Sequence, residues 1–271
     1  MTHSLGTALI TGASSGIGAV YADRLAKRGH DLILVARNGE KLKSLADRLT
    51  SETGRSIKVL PADLGDKAAL AKVEAVLRDD PSISVLVNNA GTAALGPLLN
   101  SDVDQMEAMI TLNVTALTRL TYAAAPAFVA RGQGTIINIG SVVGIVPERL
   151  NGVYGASKAF VLAFTRSLQH ELAEKGVRIQ AVLPAATATD IWEKAGLHHS
   201  KLPAGTVMST EDMVDAALAG LDQGEVVTIP PLQDADDWTR FDAARLAFAP
   251  KLTNSAPAPR YRAAQPARRI A

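Results

Sequence analysis

The stretch that most constrains this chain is its beginning. Residues 7–11 (TALIT) form a short apolar run that ends in Gly12, Gly16 and Gly18, and the helical pattern of residues 20–29 follows at once. Strand, glycine turn and helix, in that order, is the context that gives a glycine motif meaning. Glycines so placed permit a tight turn and let backbone N–H groups at a helix start approach a pyrophosphate. The spacing is Gly-x-x-x-Gly-x-Gly, not the commoner Gly-x-Gly-x-x-Gly.

The alternation of strand and helix continues. Residues 31–36 (DLILVA), 57–61, 83–87, 135–139, 177–183 and 226–229 read as strands. Residues 40–53, 67–79 and 102–131 read as helices, as does the segment carrying Tyr154 and Lys158 to about Lys175. Strands that are continuously apolar belong to a parallel sheet covered on both faces. Residues 1–235 are assigned to this α/β domain, and residues 236–271 to a C-terminal helix and extended tail. The helix (residues 236–249) has an apolar stripe of Trp238, Phe241, Leu246 and Phe248, and the Ala-, Pro- and Arg-rich composition beyond it is that of a disordered segment.

Composition narrows the function. A net charge of +1 gives no electrostatic basis for binding nucleic acid or a membrane surface, and the absence of cysteine excludes thiol catalysis and disulfides. No apolar run is long enough to span a bilayer and no charged-then-apolar leader precedes the first strand, so the expected location is cytoplasmic. His198 and His199 lack a third ligand nearby, and no metal is expected.

Several residues carry chemistry. Tyr154 and Lys158 lie one turn apart on one helix face. A phenol ordinarily titrates near ~10, and bringing it to about 7 takes roughly 4 kcal/mol of differential stabilisation, which one lysine helped by a cationic nicotinamide ring can supply in a water-poor cleft. Ser141 stands beyond the fifth strand, where ligands of open α/β sheets collect. Ala36 and Arg37 occupy the place of the acidic residue that grips an NAD ribose, and a guanidinium there binds a 2′-phosphate instead, so NADP rather than NAD is expected. Asp63 follows the third strand, as a helix cap or an adenine contact. Residues 88–91 (NNAG) form a small-residue loop that lets a flat cofactor pass, and Asn113 interrupts a helix as a poor helix former. Residues 184–207 make a long connection that reads as a substrate lid.

Together these motifs resemble the short-chain dehydrogenase/reductase family in its single-domain form. The resemblance rests on Thr11-Gly-x-x-x-Gly-Ile-Gly18, Asn88-Asn-Ala-Gly91, Asn113, Ser141 and Tyr154-x-x-x-Lys158, in the family's order over residues 5–229. It implies a doubly wound, seven-stranded parallel sheet of Rossmann type in three layers, and a homodimer or homotetramer. It further implies that Tyr154 is the general acid or base, that Lys158 lowers its pKa and holds the nicotinamide ribose, that Ser141 binds the substrate oxygen, and that Asn113 holds a water linking Lys158 to solvent. Gly12, Ser14, Ser15, Gly16, Ile17 and Gly18 would shape the cofactor turn. Asp63 and Leu64 would flank the adenine, Asn89, Ala90 and Gly91 would line the path, Pro184 would border the cofactor, and Thr189 or Thr187 would meet the nicotinamide carboxamide. Ala185 stands where the family has glycine, and Ser15 where many NADP users have a basic residue. The implied reaction is hydride transfer between NADP(H) and a carbonyl or secondary alcohol of a hydrophobic substrate lodged among Val142, Val143, Val146, Leu150, Trp192 and Leu197. The alternatives are a 3-oxoacyl thioester reductase and a non-catalytic nucleotide sensor.

Overall fold

The computed structural model describes residues 5–150, 152–194 and 199–262. Seven strands form one parallel sheet, β1 (Thr7–Thr11), β2 (Asp31–Ala36), β3 (Ile57–Pro61), β4 (Ile83–Asn88), β5 (Gly134–Ile139), β6 (Val177–Val182) and β7 (Val227–Thr228). Their spatial order is β3-β2-β1-β4-β5-β6-β7, so the winding reverses between β1 and β4 and opens a crevice at their carboxyl ends.

Alternate strand residues feed two cores, as the period of two requires. Ala8, Ile10, Leu34 and Val87 pack against α1 (Gly16–Lys27), α2 (Gly39–Thr53) and α8 (Thr210–Asp222) through Tyr21, Leu25, Leu42, Leu49, Met213 and Leu218. Leu9, Ile33, Leu86 and Ile136 face the other way, toward α3 (Lys67–Asp79), α5 (Leu117–Arg131) and α6 (Gly152–Leu172) through Leu70, Leu77, Leu120, Phe128 and Leu168. This is the doubly wound, three-layer arrangement expected from the sequence.

Two helices differ from the sequence reading. Helix α1 starts at Gly16, four residues earlier than its apolar pattern, because the glycine turn itself supplies the first helical turn. The helix expected over 102–131 is α4 (Val103–Ile110), a π-helical segment at Thr111–Ala116, and α5. The widened turn carries Asn113, and such insertions are frequent at functional sites.

The outward face of α6 is uncharged over Gly152, Ala156, Phe160, Ala163 and Ser167, all exposed. Phe164 stacks between Phe160, at 5.5 Å, and Tyr122 of α5, at 6.4 Å. Contacts set Leu232–Ala271 apart as a second unit. Within it, Asp234 caps α9 (Ala235–Leu246) by accepting from the Asp236 N–H, and Trp238 stacks on Phe241 at 5.4 Å. No residue of α9 is buried, and Phe241, Leu246 and Phe248 are exposed. Among the described residues, no helix is long and apolar enough to cross a membrane.

Candidate active site

A cavity of about 520 Å³ opens along the carboxyl ends of the strands. Its floor begins at the β1 turn. Gly12 has φ +67°, and a Cβ there would come within 2.7 Å of Asn89 Nδ2, so only glycine fits. Asn89 braces this turn, donating from Nδ2 to Thr11 O at 2.9 Å and to Gly12 O at 3.3 Å. Thr11 Oγ1 donates to Val87 O and accepts from the N–H groups of Asn89 and Ala90, at 2.9 and 3.0 Å. Thr11 is therefore a positioning residue that the site assignment from sequence omitted. Gly12, Ser14, Ser15, Gly16 and Ile17 line the cavity. Gly18 does not: it faces the Gly12 carbonyl and Asn89, where a side chain would overlap, and its part is to let α1 pack closely.

At one end lie Ala36, Arg37, Asn38, Lys41, Ala62, Asp63 and Leu64. Asn38 caps α2 by accepting from the Lys41 N–H at 2.9 Å. Arg37 is exposed, and neither its guanidinium nor the Lys41 ammonium has an anionic partner among the described residues. Lys41 was missed from sequence, although its position four residues after Arg37 in a capped first turn is a legible signal. Asp63 does not cap α3. Its Oδ1 accepts from Gly65 N at 2.9 Å, and the cap is Asp66, which takes the Ala69 N–H at 2.7 Å.

Toward the other end stand Ser141, Tyr154 and Lys158, with Asn89, Ala90 and Gly91 between. Ser141 Oγ donates to Pro184 O at 3.2 Å and accepts from the Val143 N–H at 3.4 Å, and it is also bonded to the Tyr154 phenol. Lys158 Nζ donates to Ile139 O at 3.0 Å and sits 5.8 Å from the Tyr154 ring centroid. Lys158 has no carboxylate partner among the described residues, and burial brings its pKa from 10.5 down to about 8. Burial also pushes the Tyr154 phenol above its ordinary value, and the Ser141 hydroxyl opposes this without overcoming it. The lowering expected from Lys158 together with a cationic nicotinamide ring belongs to the cofactor-loaded site; for the chain by itself, burial is the larger influence on the phenol.

Asn113 lies outside the cavity wall. Its Oδ1 accepts from Thr92 N at 2.9 Å, and its Nδ2 donates to Thr92 O at 2.9 Å and Ser157 Oγ at 3.1 Å. Both polar atoms of its side chain are bonded to protein partners. It ties the π turn to the loop after Gly91 and to α6.

The connection after β6 completes the wall with Pro184, Thr187 and Thr189. Ala185 in place of glycine causes no distortion, since no described non-glycine residue has a positive φ. Thr187 pairs with Met208 as a parallel bridge, and the indole N–H of Trp192, on α7 (Ile191–Lys194), donates to Thr187 O at 2.8 Å. Of the apolar pocket residues expected, Val142, Val143, Leu150 and Trp192 line the cavity; Val146 does not and is exposed, and Leu197, like His198, lies outside the described residues. Ala93, Leu95, Leu112 and Ile191 also line it, too scattered along the chain to be read from sequence.

The buried lysine makes stability depend on pH. The unfolded chain keeps the Lys158 proton up to about 10.5 and the folded chain releases it near 8, so the folded state binds fewer protons across that window and gains stability as pH rises through it. Lys158→Met removes a charge whose burial costs at most about 3 kcal/mol. Urea unfolding of both proteins between pH 7 and 10.5 is expected to show the variant ahead at pH 7, with the gap narrowing as pH rises; a gap independent of pH contradicts the assignment.

The model of the short chain dehydrogenase family matches residues 6–199. A short-chain dehydrogenase from Sphingobium yanoikuyae, solved in complex with NADPH, is 52% identical, with 95% of this chain and 100% of that one covered at a TM-score of 0.93. The bulky-bulky ketone specific alcohol dehydrogenase from Comamonas testosteroni is 46% identical, with 96% and 99% covered at a TM-score of 0.88. The very-long-chain 3-oxoacyl-CoA reductase of Anas platyrhynchos is 38% identical over 67% of this chain, a match that spans 60% of that protein's length. On its motifs, its sheet order and these matches, the chain belongs to the short-chain dehydrogenase family.

Proposed function

We propose that this protein is an NADP(H)-dependent oxidoreductase that interconverts a ketone flanked by bulky apolar groups and its secondary alcohol. The observation that carries the reading is the convergence of Ser141, Tyr154 and buried Lys158 on one cavity whose far end holds Arg37 and Lys41, neither with an anionic partner among the described residues. That cavity fits the dinucleotide: its turn tolerates no Cβ at Gly12, and Arg37 and Lys41 suit a 2′-phosphate. NADPH, when bound, supplies the hydride, and its oxidised ring supplies a second positive charge.

The chain's own residues do the rest. The hydroxyls of Ser141 and Tyr154 are bonded to each other, and a carbonyl oxygen between them would accept from Tyr154 and from Ser141, whose proton would turn to it from Pro184 O. Tyr154 gives the proton during reduction and takes it during oxidation. Lys158, anchored on Ile139 O, holds a positive charge beside the phenol and favours its anion as the reaction proceeds. Ala93, Val143, Leu150 and Trp192 keep water out, and the indole N–H of Trp192 is spent on the backbone, so it presents an apolar surface. The likeness to a bulky-ketone alcohol dehydrogenase supports the substrate class.

A diaryl ketone assayed with NADPH is expected to be turned over faster than a 3-oxoacyl thioester, and faster with NADPH than with NADH. Arg37→Ala is expected to lower the NADPH/NADH ratio of kcat/KM about ten- to a hundred-fold, the worth of a charge-assisted bidentate contact, and Lys41→Ala by less. A wild type that prefers NADH overturns the cofactor assignment.

The same reading assigns a second copy of this chain to the α6 face around Phe160, whose exposed residues Gly152, Ala156, Phe160, Ala163 and Ser167 carry no charge. Phe160→Glu places a charge there and is expected to shift the sedimenting species to the monomer; an unchanged coefficient removes this face from the assembly.

A further inference from the structure

Among the described residues of the first unit, the three most exposed large apolar side chains lie close together along the chain. Leu99 is 91% exposed, Leu98 82% and Val103 76%, all within six residues. They sit on a turn folded back on itself, with Ser101 Oγ donating to Gly96 O at 3.1 Å and Pro97 O at 2.9 Å. That turn leaves the cavity wall directly, because Leu95 lines the cavity and Ala93 and Ala94 pack against Tyr154, Val143 and Met109. Three residues span at most about 10 Å of chain, so Leu98 lies within that distance of the wall.

The cavity is small for what it must hold. Its volume of about 520 Å³ runs from Arg37 to Trp192. Pockets of about 300–1,000 Å³ take one drug-sized ligand. A dinucleotide uses most of such a space, so a ketone with two large substituents has to project past the wall.

We propose that Leu98, Leu99 and Val103 form an apolar rim on which the outer part of an elongated hydrophobic ketone lies while its carbonyl is held at Ser141 and Tyr154. The inference rests on the proposed function and sharpens it: the favoured substrates carry one long, uncharged apolar substituent. Charge at the rim selects this occupant. Asp102 and Asp104 flank Val103, and the described residues 92–104 include no cation. Two acids beside the patch disfavour a phosphate-bearing thioester carrier, an anionic bilayer, and a second copy presenting the same acids.

The test is a series of aryl ketones bearing an unbranched alkyl chain, from methyl to octyl, assayed with NADPH. Wild type and the double variant Leu98→Ser/Leu99→Ser are compared, at positions whose exposure makes the change nearly neutral for folding. Once the chain passes the wall, kcat/KM for the wild type is expected to rise about two-fold per methylene, half of what full burial gives, and the octyl/methyl ratio to collapse toward one in the variant. Equal octyl/methyl ratios in the two proteins overturn the rim. So does a changed sedimentation coefficient, which assigns the leucines to a subunit contact, or wild-type binding to phosphatidylcholine vesicles that the variant loses. If neither protein reduces any ketone, the proposed reaction fails, and calorimetry of the same ketones with the NADP⁺-loaded protein still decides. A chain-length slope in wild-type affinity that the variant loses keeps the rim, and equal slopes remove it.

Discussion

The site depends on the hydrogen bonds that join the end of β4 to the end of β1. Those two strands are neighbours where the winding reverses, and the crevice between their outgoing loops is what an open parallel sheet offers a ligand. Hydrophobic packing cannot fix the shape of that crevice, because burial has no direction. Thr11 and Asn89 can: they tie the end of β1 and the glycine turn to the end of β4 and the loop after it through five bonds between 2.9 and 3.3 Å. The bracing continues sideways. Asn88 donates to Asn138 on β5 and Thr121 on α5, and Asn138 donates to Thr165 on α6. Sheet and helices are thus pinned at the level of the site by directional contacts among buried groups, where such bonds are strongest and costliest to break.

On that frame α6 carries a desolvated lysine and a desolvated phenol. Each is shifted by burial toward its neutral form, Lys158 down and Tyr154 up. Such a pair is costly to keep, and stability gains nothing from it. It makes sense as a site in which added positive charge strongly favours the phenolate, since electrostatic effects are largest where water is excluded.

Most of the frame was legible in the sequence, for a physical reason. Strands buried on both faces read as unbroken apolar runs, and a turn that excludes Cβ must be written in glycine, so the sheet and the β1 turn stand out. The reading failed where the signal is not periodic. The π turn at Thr111–Ala116 announces itself only as an asparagine in an apolar helix, and the use of its amide to clamp Thr92 and Ser157 has no signature along the chain. Asp63 and Asp66 are equally good caps on paper, and the loop geometry chose the second. The depth of burial that raises the Tyr154 phenol is a property of the folded chain and has no signature along the sequence.

The central claim is that Tyr154 moves the proton while the cofactor is held by other groups. Tyr154→Phe keeps the ring and its packing and removes only the hydroxyl. The measurement is single-turnover reduction of a bulky diaryl ketone by the NADPH-loaded variant, with NADPH affinity determined in parallel by fluorescence titration. The expected result is a rate at least ~100-fold below wild type, the usual loss for a general acid, with NADPH affinity within a few-fold of wild type. Near wild-type turnover in that variant would contradict the assignment.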